Sequence, residues 1–176
     1  MKTIKQLAGV GLLSVAMLQS AWAQEPESCK MVRFAEIGWA DIAATTGVAM
    51  TLSEGLGYQT RKIMASVPIA FTGVQKGQID VFLGYWAPSM DAVIEPFTKD
   101  GGVKVLPKAN LEGAKYTLAV PTYAAEAGLK SFADIAKFKD QLGGKIFGIE
   151  PGNDGNLLID GMIKSNQFGL GEFKMV

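Results

Sequence analysis

The sequence predicts an α/β chain of two lobes, each a parallel sheet flanked by helices, joined by a hinge. Two observations carry this. Short apolar stretches with strand character alternate with stretches of helical spacing, the order that builds parallel, helix-covered sheets. That series runs twice, with an irregular crossing near 105–115 between the two runs. The expected division is a first lobe over 24–109 and a second, incomplete one over 110–176.

The first 23 residues are set aside as a secretory signal. Lys2 and Lys5 form a short basic start, Leu7 to Leu18 is an apolar run, and Ala21-Trp22-Ala23 supplies a small-x-small cleavage pattern. The apolar run is shorter than the roughly 20 residues that span a bilayer. An exported, periplasmic protein cleaved after Ala23 is expected, with a short polar leader over 25–28.

The first run then begins with a strand over Met31 to Ile37. Asp41 to Leu56 has helical spacing through Ile42, Thr45, Ala49, Leu52 and Leu56, and Gly57 is a suitable stop. Gln59 to Met64 reads as a second strand and Pro68 to Lys76 as a short helix ended by Gly77. Ile79 to Leu83 is a compact apolar strand, and Met90 to Phe97 is helical before the turn Asp100-Gly101-Gly102. The second run opens with a strand over Tyr116 to Val120, stopped by Pro121. Ser131 with Asp134 three residues later is a capping-box-like start for a helix through about Phe138. Lys145 to Ile149 is a strand, 152–156 a loop, Leu157 to Lys164 a helix, and Glu172 to Val176 the entry to a further strand.

Composition narrows the function. Of 17 basic and 17 acidic residues, two lysines and no acids fall within 1–23, leaving a net charge of −2 on 24–176. No basic stripe is present, which argues against nucleic acid as a partner. The absence of histidine removes histidine-based acid–base chemistry, serine triads and histidine metal ligands. Neither a cofactor nor a metal is expected. Cys29 is the lone cysteine, so it is either a free thiol or paired outside this sequence.

In such sheets ligands bind at the carboxyl ends of strands, so the loops after strands carry the candidates. Trp39 follows Ile37-Gly38, and Trp86 follows Leu83-Gly84-Tyr85. Glycine there lets the backbone turn sharply and approach a ligand closely. Tyr116 opens the first strand of the second run and can face the same cleft from the other side. Core filling is the plain reading of any one of these aromatics. Together they suit a quaternary ammonium cation, which has no N–H to donate and meets both apolar surface and negative quadrupole on aromatic faces, at roughly 0.5–2 kcal/mol per contact. Asp41 suits both a helix N-cap and an acceptor for a ligand hydroxyl. Glu150 to Asn156 forms a tight loop opening a helix, fit for turn and cap chemistry or for an anionic group. The carboxylates of Glu150 and Asp154 have no activated nucleophile beside them, so catalysis is not expected.

Four motifs in order, Val-Arg-Phe-Ala-Glu-Ile-Gly-Trp-Ala-Asp, Ile-Asp-Val-Phe-Leu-Gly-Tyr-Trp-Ala-Pro-Ser-Met, Leu-Glu-Gly-Ala-Lys-Tyr-Thr-Leu-Ala and Gly-Ile-Glu-Pro-Gly-Asn-Asp-Gly-Asn, resemble the periplasmic glycine betaine/choline-binding proteins of ABC importers, the choline-binding branch above all. The likeness runs from about Cys29 to the end. It implies a type II two-lobed periplasmic binding protein that closes on its ligand and hands it to a membrane permease, as a monomer. It also implies an aromatic box of Trp39, Trp86 and Tyr116, with Asp41 and Asn153 holding the choline hydroxyl. A further tryptophan of the family's box, the return to the first lobe and a partner for Cys29 are expected downstream of this sequence. Asp41 would repel the carboxylate of glycine betaine, which favours choline. Glycine betaine or carnitine is the alternative ligand, and a non-functional truncated product the alternative fate.

Overall fold

The computed structural model describes residues 26–176, so the signal-peptide expectation lies outside the described residues. A 3₁₀ turn, Glu27–Cys29, leads into β1 (Met31–Glu36). Helix α1 (Ala40–Gly55) crosses to β2 (Gln59–Met64), which pairs in parallel with β1 from Met31↔Gln59 to Glu36↔Met64. Helix α2 (Val67–Gln75) starts with Pro68 in its first turn, where a missing N–H costs nothing. The chain then passes along the free edge of β1. Ala35 N–H donates to Val81 O at 2.8 Å, and Val81 N–H to Arg33 O at 3.1 Å. Of the strand expected over Ile79 to Leu83, only a single bridge, Phe34↔Val81, has ladder geometry. Asp80 secures this edge instead: one carboxylate oxygen accepts from Arg33 Nε and from Arg33 backbone N, and the other from Nη2 at 2.7 Å.

Helix α3 (Asp91–Lys99) closes the first unit. Its core gathers Val67, Phe71, Met90 and Ile94 on one side and Ala35, Ala70 and Ile79 on the other. Phe71 is the hub, with ring centroids 5.4 Å from Phe82, 5.7 Å from Phe97 and 6.4 Å from Tyr85.

The second unit contains α4 (Thr122–Glu126), α5 (Phe132–Ile135), β3 (Lys145–Ile146), α6 (Asp154–Lys164) and β4 (Lys174–Met175). β3 and β4 pair in parallel, and Gly148 N–H extends the contact to Val176 O. The core here is Leu129, Ile135, Ile146, Ile159, Leu170 and Phe173. The Ser131–Asp134 start takes the expected form: the Asp134 carboxylate accepts from Ser131 backbone N and from its hydroxyl.

Three expectations are corrected. Tyr116 to Val120 forms no strand ladder, because among the described residues no neighbouring strand presents an edge to it. Asp41 is not the N-cap of α1. Gly38, at φ +84°, turns the chain so that Trp39 takes the extended cap position, and Asp41 falls in the first helical turn. The buried face of α1 is Ile42 and Thr46. Val48, Leu52 and Leu56 are all more than 60 % exposed, since a helix apolar nearly all round cannot cover every apolar residue with one contact face.

Candidate ligand-binding site

On the first unit, β1 ends at Glu36 and its buried carboxylate accepts from Gly38 N–H at 3.3 Å. The +84° turn at Gly38 then sets Trp39 at the start of α1. Gly84 is needed for a different reason: a Cβ there would lie 2.7 Å from the Phe82 ring and 3.2 Å from Ile42. That close approach lets the next residues leave the sheet edge toward Trp86. Both tryptophans lay part of their surface on the core of Val67, Phe71, Met90 and Ile94 and leave the rest outside it. Core filling and an outward role therefore coexist in each ring. Tyr85, which precedes Trp86, is anchored to that core, and its hydroxyl donates to Asp91 at 2.5 Å. Burial, with help from the Asp91 hydrogen bond and charge, pushes its phenol up to about 12.

On the second unit, Asn156 fixes the loop after β3. Its amide accepts from Ile149 N at 2.9 Å and donates to the carbonyls of Ile149 and Glu150, both at 3.1 Å. Gly152, at φ +85°, completes the turn, and its Cβ position would be 3.0 Å from Pro68 of α2, so the loop abuts the first unit. Asn153 is the N-cap of α6 and is fully buried.

One chain of contacts joins the two units. Trp39 Nε1 donates to Glu150 Oε1 at 3.1 Å, and the same oxygen accepts from Asn153 Nδ2 at 2.8 Å. Asn153 Oδ1 accepts from Tyr116 Oη at 2.9 Å and from Gly155 N at 2.8 Å. The Tyr116 ring meets Trp86 at a centroid distance of 5.7 Å and an angle of 48°. Trp39, Trp86, Tyr116 and Asn153 are thus drawn together from distant parts of the sequence. At 5.7 Å the two rings touch, so they form adjacent walls of a corner rather than opposite faces of a sandwich.

Asp41 is not drawn into this network. Its half-buried carboxylate forms no hydrogen bond and no ion pair among the described residues. Asn153 uses both acceptor sites of its oxygen and one of its two N–H donors, which leaves one N–H for a ligand hydroxyl. The participant that sequence reasoning passed over is Glu150, read there as turn chemistry. Nothing in its spacing signals that its carboxylate meets an indole 111 residues away.

The electrostatics favour a cation. Asp41, Glu150 and Asp154 form no ion pair with a lysine or arginine among the described residues. Burial, then the charges of Asp154 and Glu150, raise the Tyr116 phenol above its ordinary value, so it stays neutral and a hydrogen-bond donor. Two apolar hollows of about 490 Å³ and 250 Å³ open in the second unit. Tyr116 lines the smaller one.

The family described as the substrate-binding domain of ABC-type glycine betaine transport systems (OpuAC) matches residues 30–176. An uncharacterized protein, ORF1, of Chromohalobacter salexigens is 51% identical over 139 residues, covering 79% of this chain and 87% of that protein. A solved ABC-transporter choline-binding protein in complex with choline superposes with a TM-score of 0.80 at 52% identity, over 86% of this chain and 52% of that one. Lactococcal OpuAC, closed on glycine betaine, superposes with a TM-score of 0.71 at 25% identity, over 84% of this chain and 54% of that one. This chain therefore spans about half the length of these solved structures and has the two-lobed type II binding-protein architecture over that half. The chain belongs to the substrate-binding domain family of ABC-type glycine betaine transporters.

Proposed function

We propose that this chain contributes a quaternary ammonium site, with choline as ligand, to a periplasmic solute-binding protein that delivers its cargo to an ABC permease. The observation that carries this reading is the corner of Trp86 and Tyr116, linked to Trp39 through Asn153 and Glu150. A trimethylammonium head offers no donor. It gains from aromatic faces what it cannot gain from acceptors, roughly 0.5–2 kcal/mol per face. The hydroxyl end is held by Asp41 from the first lobe and the remaining Asn153 N–H from the second, with the lobes dividing near residues 109 and 110. Because Asn153 is fully buried in this arrangement, the ligand enters before the Glu150 bridge forms, and closing the bridge completes the site. The protein works by capture and release, as a monomer exported through a signal over residues 1–23.

The charge pattern separates choline from glycine betaine. Glu150 and Asp154, on the Tyr116 side of the corner, have no lysine or arginine partner among the described residues, and a betaine carboxylate placed beside them meets like charge. The choline-bound relative shares twice the sequence identity with this chain that the betaine-bound one does. Glycine betaine remains the second reading, on the strength of the family description.

Isothermal titration calorimetry of the full chain with choline and with glycine betaine tests this. Choline is expected to bind more tightly. Trp39→Ala and Trp86→Ala should each weaken it about threefold to thirtyfold, the value of one lost face. Choline affinity that survives both substitutions unchanged removes the aromatic corner as the site.

A further inference from the structure

We propose that Asp154 is the second lobe's counter-charge for the bound cation, and that this carboxylate, more than the aromatic faces, makes the site select a net cation over a neutral or zwitterionic ligand of the same shape. The inference rests on the quaternary ammonium reading above and adds a residue to it.

Asp154 is the first residue of α6, an eleven-residue helix, and only 2% of it is exposed. Neither of its carboxylate oxygens has a hydrogen-bond partner, and no lysine or arginine pairs with it among the described residues. Capping does not explain it. Asn153 already caps the helix by accepting from Gly155 N. A buried carboxylate with no partner is costly, and the positive end of a helix offsets only part of that cost. A cation arriving nearby supplies the remainder.

Position ties this charge to the corner. The residues on either side of Asp154, Asn153 and Gly155, both contact the Tyr116 side. Asn153 Oδ1 receives the Tyr116 hydroxyl, and a Cβ on Gly155 would lie 2.1 Å from that hydroxyl. Among charged groups, Asp154 acts on the Tyr116 phenol more strongly than Glu150 does. The Tyr116 ring in turn touches Trp86. The unpartnered charge thus belongs to the same helix start that holds the Tyr116 hydroxyl, and being buried it acts with less screening than a water-exposed acid.

The test uses a ligand pair that differs in charge and not in shape: choline and its neutral carbon isostere, 3,3-dimethyl-1-butanol. Both are titrated into the full chain and into Asp154→Asn, with folding followed by far-UV circular dichroism. The expected result is a marked preference for choline in the unmodified chain. In Asp154→Asn choline should bind about tenfold more weakly, while the isostere stays within about twofold. Equal loss of both ligands, or an unchanged ratio between them, overturns the proposal and leaves Asp154 a structural residue. Should Asp154→Asn fail to fold, Asp154→Ser is read in the same way. The unmodified chain is also decisive by itself: an isostere that binds as tightly as choline overturns the counter-charge without any variant. A chain that binds neither ligand sinks the quaternary ammonium reading itself, a failure distinct from the others.

Discussion

Gly155→Ala separates tertiary packing from local propensity by sign. Gly155 lies in the first turn of α6 with ordinary negative φ. Helix propensity alone therefore predicts that alanine stabilises by up to about 1 kcal/mol. The surroundings predict the reverse. The added Cβ would lie 2.1 Å from the Tyr116 hydroxyl, 2.9 Å from its ring carbon and 3.2 Å from Asn153 Oδ1. Tyr116 must retreat by roughly 1 Å or more to reach normal contact. That breaks its 2.9 Å bond to the buried Asn153 and shifts the ring from Trp86. Overpacking of this kind costs about 1–3 kcal/mol, and leaving Asn153 Oδ1 with one partner fewer adds to it. The expected net is a destabilisation of about 1–2 kcal/mol after the propensity gain. For a unit of this size that is a fall of about 3–6 °C in Tm by circular dichroism. Choline affinity, measured by calorimetry, should fall at least tenfold, since a wall of the corner has moved. Gly155→Ala combined with Tyr116→Phe should recover part of the stability, because the clashing oxygen is gone. A Tm that rises in Gly155→Ala with choline affinity intact refutes the geometry.

Phe71→Ala should cost about 3–5 kcal/mol in urea unfolding, because a side chain only 2% exposed loses three aromatic neighbours at once. Asp80 is held below its ordinary value first by its hydrogen bond to Arg33. Its contribution is complete above the unfolded value near 4 and is lost as pH falls through the lower folded value. Asp80→Asn should therefore lower stability at neutral pH and flatten the acid limb of the Tm–pH curve. An acid limb of unchanged slope contradicts this. Asp134 follows the same sign, its carboxyl lowered to about 2 by Lys137 and then Ser131. Asp134→Asn should fray α5 above pH 4, seen as faster amide exchange at Ser131, and match the unmodified chain below about pH 2. Glu150→Gln keeps an acceptor for Trp39 Nε1 but removes the charge; choline affinity should drop less than tenfold, whereas Glu150→Ala should also free the Trp39 ring, seen as a change in tryptophan fluorescence.

Much of the fold is legible in the chain itself. The alternation of apolar strands and helical stretches sets β1, α1, β2 and α2, and Gly57 and Gly77 stop their helices at the positions where positive φ is needed. The strands expected at Tyr116 to Val120 and Ile79 to Leu83 fare worse. Apolar alternation records which side chains suit a sheet, but a strand also requires a neighbour's backbone, which sequence pattern does not reveal. Outward Leu52 and Leu56 on α1 have the same cause: helical spacing marks an apolar face without saying what covers it.

The candidate site divides along the same line. The residue types were readable: Trp39 and Trp86 after glycines at strand ends, Tyr116 at the head of the second run, and Asn153 in a tight polar loop. These are legible because backbone turns and helix starts are governed by neighbours a few residues apart. Tertiary structure alone decided that Glu150 bridges Trp39 to Asn153, that Tyr116 lies on Trp86, that Asp41 stands outside that network, and that Asp154 is buried without a partner among the described residues. Those are contacts and burials between segments up to 111 residues apart, set by how two packed units meet, and short-range chemistry carries no record of them.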